Sequence, residues 1–293
     1  MEGKFPNRIL PYVLLFPSIT VVVIFLIFPS VQALRLSFFE VSPFTGRGTF
    51  VGLANFRELL SSELYRHSLS ITLLLAAGIV GIGISVSLAV AVLANQPLRG
   101  LGVYRVALLW PYALSPAVAG TIWALLFDPS TGPTTLLIRA VTGFSPNWMM
   151  SGGYALWVTV MAAAWKMLGF NVVFFLAGLQ AVPREYREAA EVDGAGAAGV
   201  FWRITFPILS PVTFFLFVMN SLYAFFELFG LIDVMTQGGP GGATDILIYR
   251  LYQDAFISAR WGMGSAQSIL LFVMVGVLTL LQFRFAGRRV FYG

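Results

Sequence analysis

The chain has 293 residues, of which 58% are hydrophobic and only 11% are charged, and its mean hydropathy is +0.84. Soluble domains carry about 25% charged residues, so this composition excludes a soluble enzyme or a nucleic-acid-binding domain and predicts an integral membrane protein. The formal charge of +5 fits Lys- and Arg-enriched cytoplasmic loops, and the absence of Cys with a single His excludes disulfides, thiol nucleophiles and a Cys- or His-rich metal site.

Six apolar segments are long enough to cross a bilayer, which needs about 20 helical residues. Five lie between charged residues, and one contains a lysine, Lys166. The segments are continuous apolar runs without the apolar and polar alternation of barrel strands. The sequence therefore predicts an all-α, polytopic membrane protein with six transmembrane helices, at residues 9–34, 67–98, 106–127, 154–182, 204–226 and 261–283.

Proline is frequent inside the predicted spans. Each proline removes a backbone donor and should kink or break its helix, which membranes tolerate where neighbouring groups satisfy the freed carbonyls. The residues concerned are Pro11, Pro17, Pro29, Pro111, Pro116 and Pro211.

The basic residues near the chain ends predict the orientation. Lys4 and Arg8 precede an apolar run that is longer than the roughly 7 to 15 residues of a secretory signal, so the first span should be an uncleaved helix. Arg288 and Arg289 follow the last span. Because Lys and Arg concentrate on the cytoplasmic side, both termini are predicted to be cytoplasmic.

The segment of residues 183–207 is the only cytoplasmic loop that is both long and patterned. Pro183 predicts a helix start, Glu185 and Glu188 suit the positive end of the helix dipole, and several alanines leave a smooth exposed face before Gly194 permits a turn. This pattern fits either an amphipathic connector at the membrane interface or a helix that docks closely onto a partner.

No phosphate-binding loop is present in the sequence. Such a loop ends in Lys followed by Ser or Thr, whereas the only lysines, Lys4 and Lys166, precede Phe and Met. The chain cannot hydrolyse ATP by that route.

The 183–207 segment resembles the cytoplasmic signature of the permeases of ATP-binding-cassette (ABC) importers. The match lies in register at Glu188, Ala189, Ala190, Gly194, Ile204 and Pro207, with Phe206 in place of the usual Leu. The resemblance implies a type I ABC importer permease fold, with one transmembrane domain over residues 1–293 and residues 183–207 as its coupling-helix loop. It implies that coupling to the ATPase uses Glu188, Ala189, Ala190, Asp193, Gly194 and Ala195.

This resemblance also implies the surroundings of the chain. The chain would be a multi-pass subunit of the bacterial inner membrane and no enzyme, and it would bind no cofactor, metal or nucleic acid. Its partners would be a second homologous permease, two ATPase subunits that hold ATP and magnesium, and an extracytoplasmic substrate-binding protein.

Three further stretches resemble the carbohydrate-uptake permeases, and among these they are most similar to the permeases of glycerol-3-phosphate importers. They are residues 108–129, 221–256 and 265–285. They imply glycerol-3-phosphate or a glycerophosphodiester as substrate, with a sugar such as a disaccharide as the alternative. An intramembrane enzyme is disfavoured, because the candidate acid and base, Glu227 and Asp233, are six residues apart and fall on different helix faces. An ion channel is disfavoured because no filter-like repeat is present.

Polar residues inside the fourth and fifth spans are candidates for the translocation pathway. Lys166 is the most costly, at about 2.5 to 3.5 kcal/mol for a helix centre. It could attract a phosphate, pair with Glu227 or Asp233, or reach an interface. Asn220, Tyr223 and Glu227 share one helical face, and Asn171 lies in the preceding span; interhelical hydrogen bonding is the alternative role for these polar side chains.

Overall fold

The computed structural model describes residues 9–96 and 101–285. The basic residues Lys4, Arg8, Arg288 and Arg289 lie outside the described residues. The chain divides into two compact units, Met1–Ser62 with Leu251–Val273 and Glu63–Arg250 with Met274–Gly293. The single permease domain expected over residues 1–293 stays a prediction.

The first unit begins with a long apolar helix and a small hairpin. Helix α1 (Leu10–Val22) continues through a π-helical turn (Val23–Ile27) into α2 (Phe28–Leu36). Strands β1 (Phe39–Val41) and β2 (Gly48–Phe50) then pair antiparallel, and α3 (Ala54–Ser61) follows. The buried Asn55 amide donates to the carbonyls of Ser37 at 2.9 Å and Phe39 at 3.1 Å, and so fastens α3 to the hairpin.

The regular elements described in the second unit are all helices. Its helices are α4 (Glu63–Ala94), α5 (Leu101–Ala113), α6 (Pro116–Leu126), α7 (Pro133–Thr142), α8 (Gly152–Ala181), α9 (Arg184–Val192), α10 (Ala197–Val200), α11 (Phe206–Ile208), α12 (Ser210–Leu222) and α13 (Phe229–Met235). Two π-helical turns, Phe201–Thr205 and Tyr223–Glu227, interrupt the later helices. Helix α14 (Leu247–Tyr252), a fourth π-helical turn (Gln253–Ile257) and α15 (Trp261–Phe285) complete the described chain, and α14 and α15 each include residues of both units.

Four of the six predicted spans are continuous helices in the described residues. They are Leu10–Leu36, Glu63–Ala94, Gly152–Ala181 and Trp261–Phe285. The spans predicted at 106–127 and 204–226 are broken instead, with bends of 106° between Val106–Ala113 and Pro116–Leu126 and of 66° between Ala197–Ile208 and Ser210–Glu227. The predicted all-α membrane fold is confirmed, and its count of six holds if each bent pair is one span.

Both breaks occur next to a proline. Ser115 is extended, with φ −65° and ψ 153°, because the ring of Pro116 disfavours a helical residue before it. The Ser115 hydroxyl accepts a hydrogen bond from the Val118 amide at 3.3 Å and caps α6. Pro211 lies at the second position of α12. Pro17 and Pro111, in contrast, lie inside α1 and α5.

Close helix crossings in the second unit require glycine. A Cβ atom at Gly169 of α8 would lie 2.2 Å from the Leu108 carbonyl oxygen and 2.8 Å from the Leu109 Cα. A Cβ at Gly120 of α6 would lie 3.0 Å from the Leu231 carbonyl oxygen. Since these neighbours are backbone atoms, a side chain at Gly169 would force α5 away from α8, whereas one at Gly120 would require a shift of a few tenths of an ångström between α6 and α13.

Candidate functional site

The 183–207 segment folds as a short surface helix followed by a turn. Pro183 is the N-cap of α9, and Glu185 lies in the first turn, where a carboxylate stabilises the helix dipole. Gly194 follows with φ +82°, a left-handed conformation that glycine adopts without strain. The segment then re-enters helix at α10. The structure therefore has a helix and a glycine turn where the sequence predicts them.

The six residues implied to carry coupling lie together on this segment. Glu188, Ala189, Asp193 and Gly194 are exposed, whereas Ala190 and Ala195 are half-buried. Val192 is 88% exposed. The exposed surface of the segment therefore combines small residues and Val192 with acidic side chains.

Lys166 of α8 is buried inside the second unit, next to the carbonyl end of α5. Its Nζ atom donates to the Tyr112 carbonyl at 3.5 Å and lies 5.4 Å from the Tyr112 ring centre and 5.7 Å from the Tyr223 ring centre. The last carbonyls of a helix lack intrahelical donors and carry partial negative charge. The ammonium group therefore caps the carbonyl end of a helix that breaks inside the predicted membrane region, and two aromatic faces stabilise its charge.

The two carboxylates considered as partners of Lys166 are not bound to it. Among the side chains that the structure describes, no nitrogen–oxygen pair within 4 Å joins Lys166 to Glu227 or Asp233. Glu227 is exposed at the end of its π-helical turn, and Asp233 is half-buried. The Tyr223 hydroxyl is buried and has no hydrogen-bond partner in the described chain. Lys166, Tyr223 and Glu227 thus combine a cation, a hydroxyl with free bonding capacity and an accessible carboxylate.

Asn171 and Asn220 form a reciprocal amide pair between α8 and α12. Asn171 Nδ2 donates to Asn220 Oδ1 at 3.1 Å, and Asn220 Nδ2 donates to Asn171 Oδ1 at 2.8 Å and to the Leu216 carbonyl at 2.8 Å. Both side chains are fully buried. These are the contacts of an interhelical bond, and a place for the two residues in the pathway stays a prediction.

A second polar group, which the sequence did not predict, joins the residues just after the Gly-rich loop of residues 238–242 to α4. Asp245 accepts a hydrogen bond from Ser68 at 3.0 Å and forms an ion pair with Arg250, and the Leu247 amide donates to Thr72 Oγ1 at 2.9 Å. The residues of α4 lie about 175 positions away from their partners in the chain, so no local sequence pattern could have paired them.

Metal binding has no support in the described residues, where no three His, Cys, Asp or Glu side chains are grouped so as to hold an ion.

Comparison with known proteins identifies relatives over almost the whole chain. The family model "Binding-protein-dependent transport system inner membrane component" matches residues 7–291. The sn-glycerol-3-phosphate transport system permease protein UgpA of Brucella abortus is 44% identical over 288 residues, or 98% of each chain. The proteins of the same name from Rhizobium meliloti and Yersinia pestis are 43% and 42% identical, over 99% and 97% of this chain and 98% and 96% of the relatives.

Solved structures of similar fold come from bacterial importers. A bacterial ABC transporter involved in the import of the acidic polysaccharide alginate matches with a TM-score of 0.82 and 21% identity, over 95% of both chains. The alginate transporter in complex with an alginate pentasaccharide-bound periplasmic protein matches with a TM-score of 0.84 and 21% identity, over 97% of this chain and 96% of that one. At this identity the likeness shows the fold, which is that of an ABC importer permease.

Proposed function

Since the chain belongs to the family of binding-protein-dependent transport system inner membrane components, we propose that it forms half of the translocation pathway of an ATP-driven importer for glycerol-3-phosphate or glycerophosphodiesters. The observation that carries the substrate is the 44% identity, over 98% of both chains, to a permease named for sn-glycerol-3-phosphate transport. A second homologous permease would supply the other half of the pathway.

Energy for transport would come from partner chains. We propose that α9 and the following turn seat against one of two ATPase subunits, which hold the ATP and magnesium that this chain does not bind. The support is the exposed face at Glu188, Ala189 and Gly194, where small residues allow close approach. An extracytoplasmic binding protein would deliver the substrate, and both termini would face the cytoplasm.

The pathway would include the polar group around Lys166. Lys166 and the Tyr223 hydroxyl offer donors to a phosphate, while Glu227 is an exposed carboxylate that repels an anion and attracts a cation. A glycerophosphodiester with a cationic head group satisfies both signs of charge. Glycerol-3-phosphate satisfies only the donors, so a zwitterionic diester suits the combination better.

Reconstituted transport tests the proposal. The chain, its partner permease, the two ATPases and the binding protein are inserted into proteoliposomes, and uptake of labelled glycerol-3-phosphate, glycerophosphocholine and a disaccharide is compared with and without ATP. We expect ATP-dependent uptake of at least one glycerophosphate. Robust disaccharide uptake with no response to either glycerophosphate would overturn the substrate assignment and favour the sugar alternative.

A further inference from the structure

Helices α8 and α12, which enter and leave the 183–207 segment, pack against each other in antiparallel order. Near the segment, a Cβ at Gly178 would lie 2.7 Å from Leu209 Cδ2 and 3.0 Å from Val212 Cγ2. Farther away, Asn171 meets Asn220. Positions earlier in α8 therefore meet positions later in α12, so the two helices form a hairpin whose tip is the 183–207 segment, the proposed coupling segment.

Apolar contacts fill the hairpin between the glycine contact and the amide pair. The buried residues there include Val172, Phe175 and Leu176 of α8 and Leu216 of α12. The interdigitated apolar side chains and the close contact at Gly178 oppose sliding of the two helices along their axes. Because apolar attraction has no preferred direction, a polar contact with fixed geometry specifies the axial register of α8 against α12 more sharply.

The Asn171–Asn220 pair supplies that register. Its two reciprocal hydrogen bonds form only when the two amides lie opposite each other, and both groups are fully buried. Sliding by one residue would leave donors and acceptors unsatisfied in a region without water, which is costly. A buried Asn fixes helix register in the same way in coiled coils, at some expense of stability.

The position of the pair links the two candidate regions of the protein. Asn171 lies ten residues before the end of α8 at Ala181, or about 15 Å along the helix. Tyr223, which lies against Lys166, follows Asn220 by one helical turn. The amide pair therefore stands between the coupling segment and the polar group around Lys166.

We propose that Asn171 and Asn220 are positioning residues for coupled transport: their amide pair locks α8 to α12, so that movement of α9 on the ATPase displaces both helices as one body and reaches Lys166 and Tyr223. This inference rests on the proposed function. Without the lock, the ATPase could move the tip of the hairpin while α8 and α12 slid past each other, and hydrolysis would proceed with less transport.

The test uses the complete reconstituted complex carrying the double variant Asn171→Leu/Asn220→Leu, which replaces both amides by apolar groups of similar size. Loss of two interhelical hydrogen bonds, at about 0.6 kcal/mol each, raises the population of slipped registers about eightfold. We expect ATP hydrolysis to continue and uptake per hydrolysed ATP to fall by up to about eightfold. The Michaelis constant for substrate should stay unchanged.

A matched control separates the lock from the general loss of a buried polar group. Thr159 is also fully buried on α8, but its hydroxyl bonds only the Ala155 carbonyl of its own helix. The Thr159→Val variant should therefore keep uptake per ATP. The inference would be overturned if uptake per ATP fell equally in the Thr159→Val control, or if it stayed unchanged in the double variant.

Thermal unfolding of the isolated chain measures the pair independently of transport. Each single Asn→Leu variant leaves one buried amide unpaired, so we expect each to lower the melting temperature more than the double variant does. If the double variant lowered the melting temperature by the sum of the two single effects, the hydrogen bonding between Asn171 and Asn220 would be contradicted, even if transport were normal. A change only in the Michaelis constant would place the two residues in the pathway instead and refute the lock. If the wild-type complex shows no substrate-stimulated hydrolysis, the proposed function fails while this thermal measurement still decides the pair.

Discussion

Replacement of Gly169 by Ala should destabilise the second unit, although alanine is the better helix former. The added Cβ would lie 2.2 Å from the Leu108 carbonyl oxygen, whereas ordinary van der Waals contact begins at 3.4 Å. Helices α5 and α8 must therefore separate by about 1.2 Å at this crossing. Separation also moves the Tyr112 carbonyl, already 3.5 Å from the Lys166 ammonium, out of hydrogen-bond range.

The expected cost follows from two opposing terms. Overpacking a well-packed contact costs about 1 to 3 kcal/mol, and the gain in helix propensity from Gly to Ala offsets about 1 kcal/mol. The obstructing atoms belong to the backbone of α5 and cannot rotate away, so we place the overpacking cost at or above the upper end of that range. The expected net loss is about 2 kcal/mol.

Thermal unfolding of the purified chain in detergent measures this effect. A loss of about 2 kcal/mol corresponds to a fall of about 4 to 8 °C in melting temperature. The control is Gly81→Ala in the interior of α4, where the new Cβ meets no atom within 4 Å, so only the propensity gain remains and stability should rise. Equal stability of Gly169→Ala and the wild type would refute the inference that a direct backbone contact holds α5 against α8.

Four further predictions concern single positions. Lys166→Met removes the ammonium that caps α5, so we expect a loss of about 1 to 3 kcal/mol in thermal unfolding; an unchanged melting temperature would show that the contact contributes nothing. Single cysteines in this Cys-free chain test topology: an impermeant reagent applied outside should label position Gly241 and not Ala198, and the opposite pattern would invert the orientation. Gly194→Trp should abolish substrate-stimulated ATP hydrolysis, while Gly194→Ala, which has the same backbone strain without the bulk, should retain it; normal transport by the Trp variant would rule out close docking. Hydrogen bonds from neighbouring hydroxyls and amides hold the pKa of Asp128 below its usual range, so its contribution to stability is complete above about pH 3.9 and is lost as the pH falls toward the lower folded pKa; loss of amide protection in this turn, measured relative to the intrinsic exchange rate, already between pH 8 and 5 would contradict that.

The surface helix α9 of the 183–207 segment could be predicted from the sequence because the residues that begin and end it act locally. Pro183 begins α9, and Gly194 supplies the left-handed residue that ends it, in both cases through the backbone preferences of one residue. The apolar spans were equally predictable, since the thickness of the bilayer demands their length. What the span pattern could not decide was which prolines break a helix. Pro17 lies inside α1, whereas Pro116 follows a 106° bend, so the presence of a proline alone does not determine where a span bends.

The sequence by itself determined the membrane class, the approximate spans and the surface helix α9 with its glycine turn, because composition, helix length and turn residues act over a few neighbouring positions. Only the tertiary structure decided the partners of the polar side chains. Lys166 meets a carbonyl 54 residues away, and Asn171 meets an amide 49 residues away. A polar residue inside an apolar span can be expected to need a hydrogen-bond partner once it is buried. Which partner it finds depends on which helices pack together, and that is a property of the folded chain.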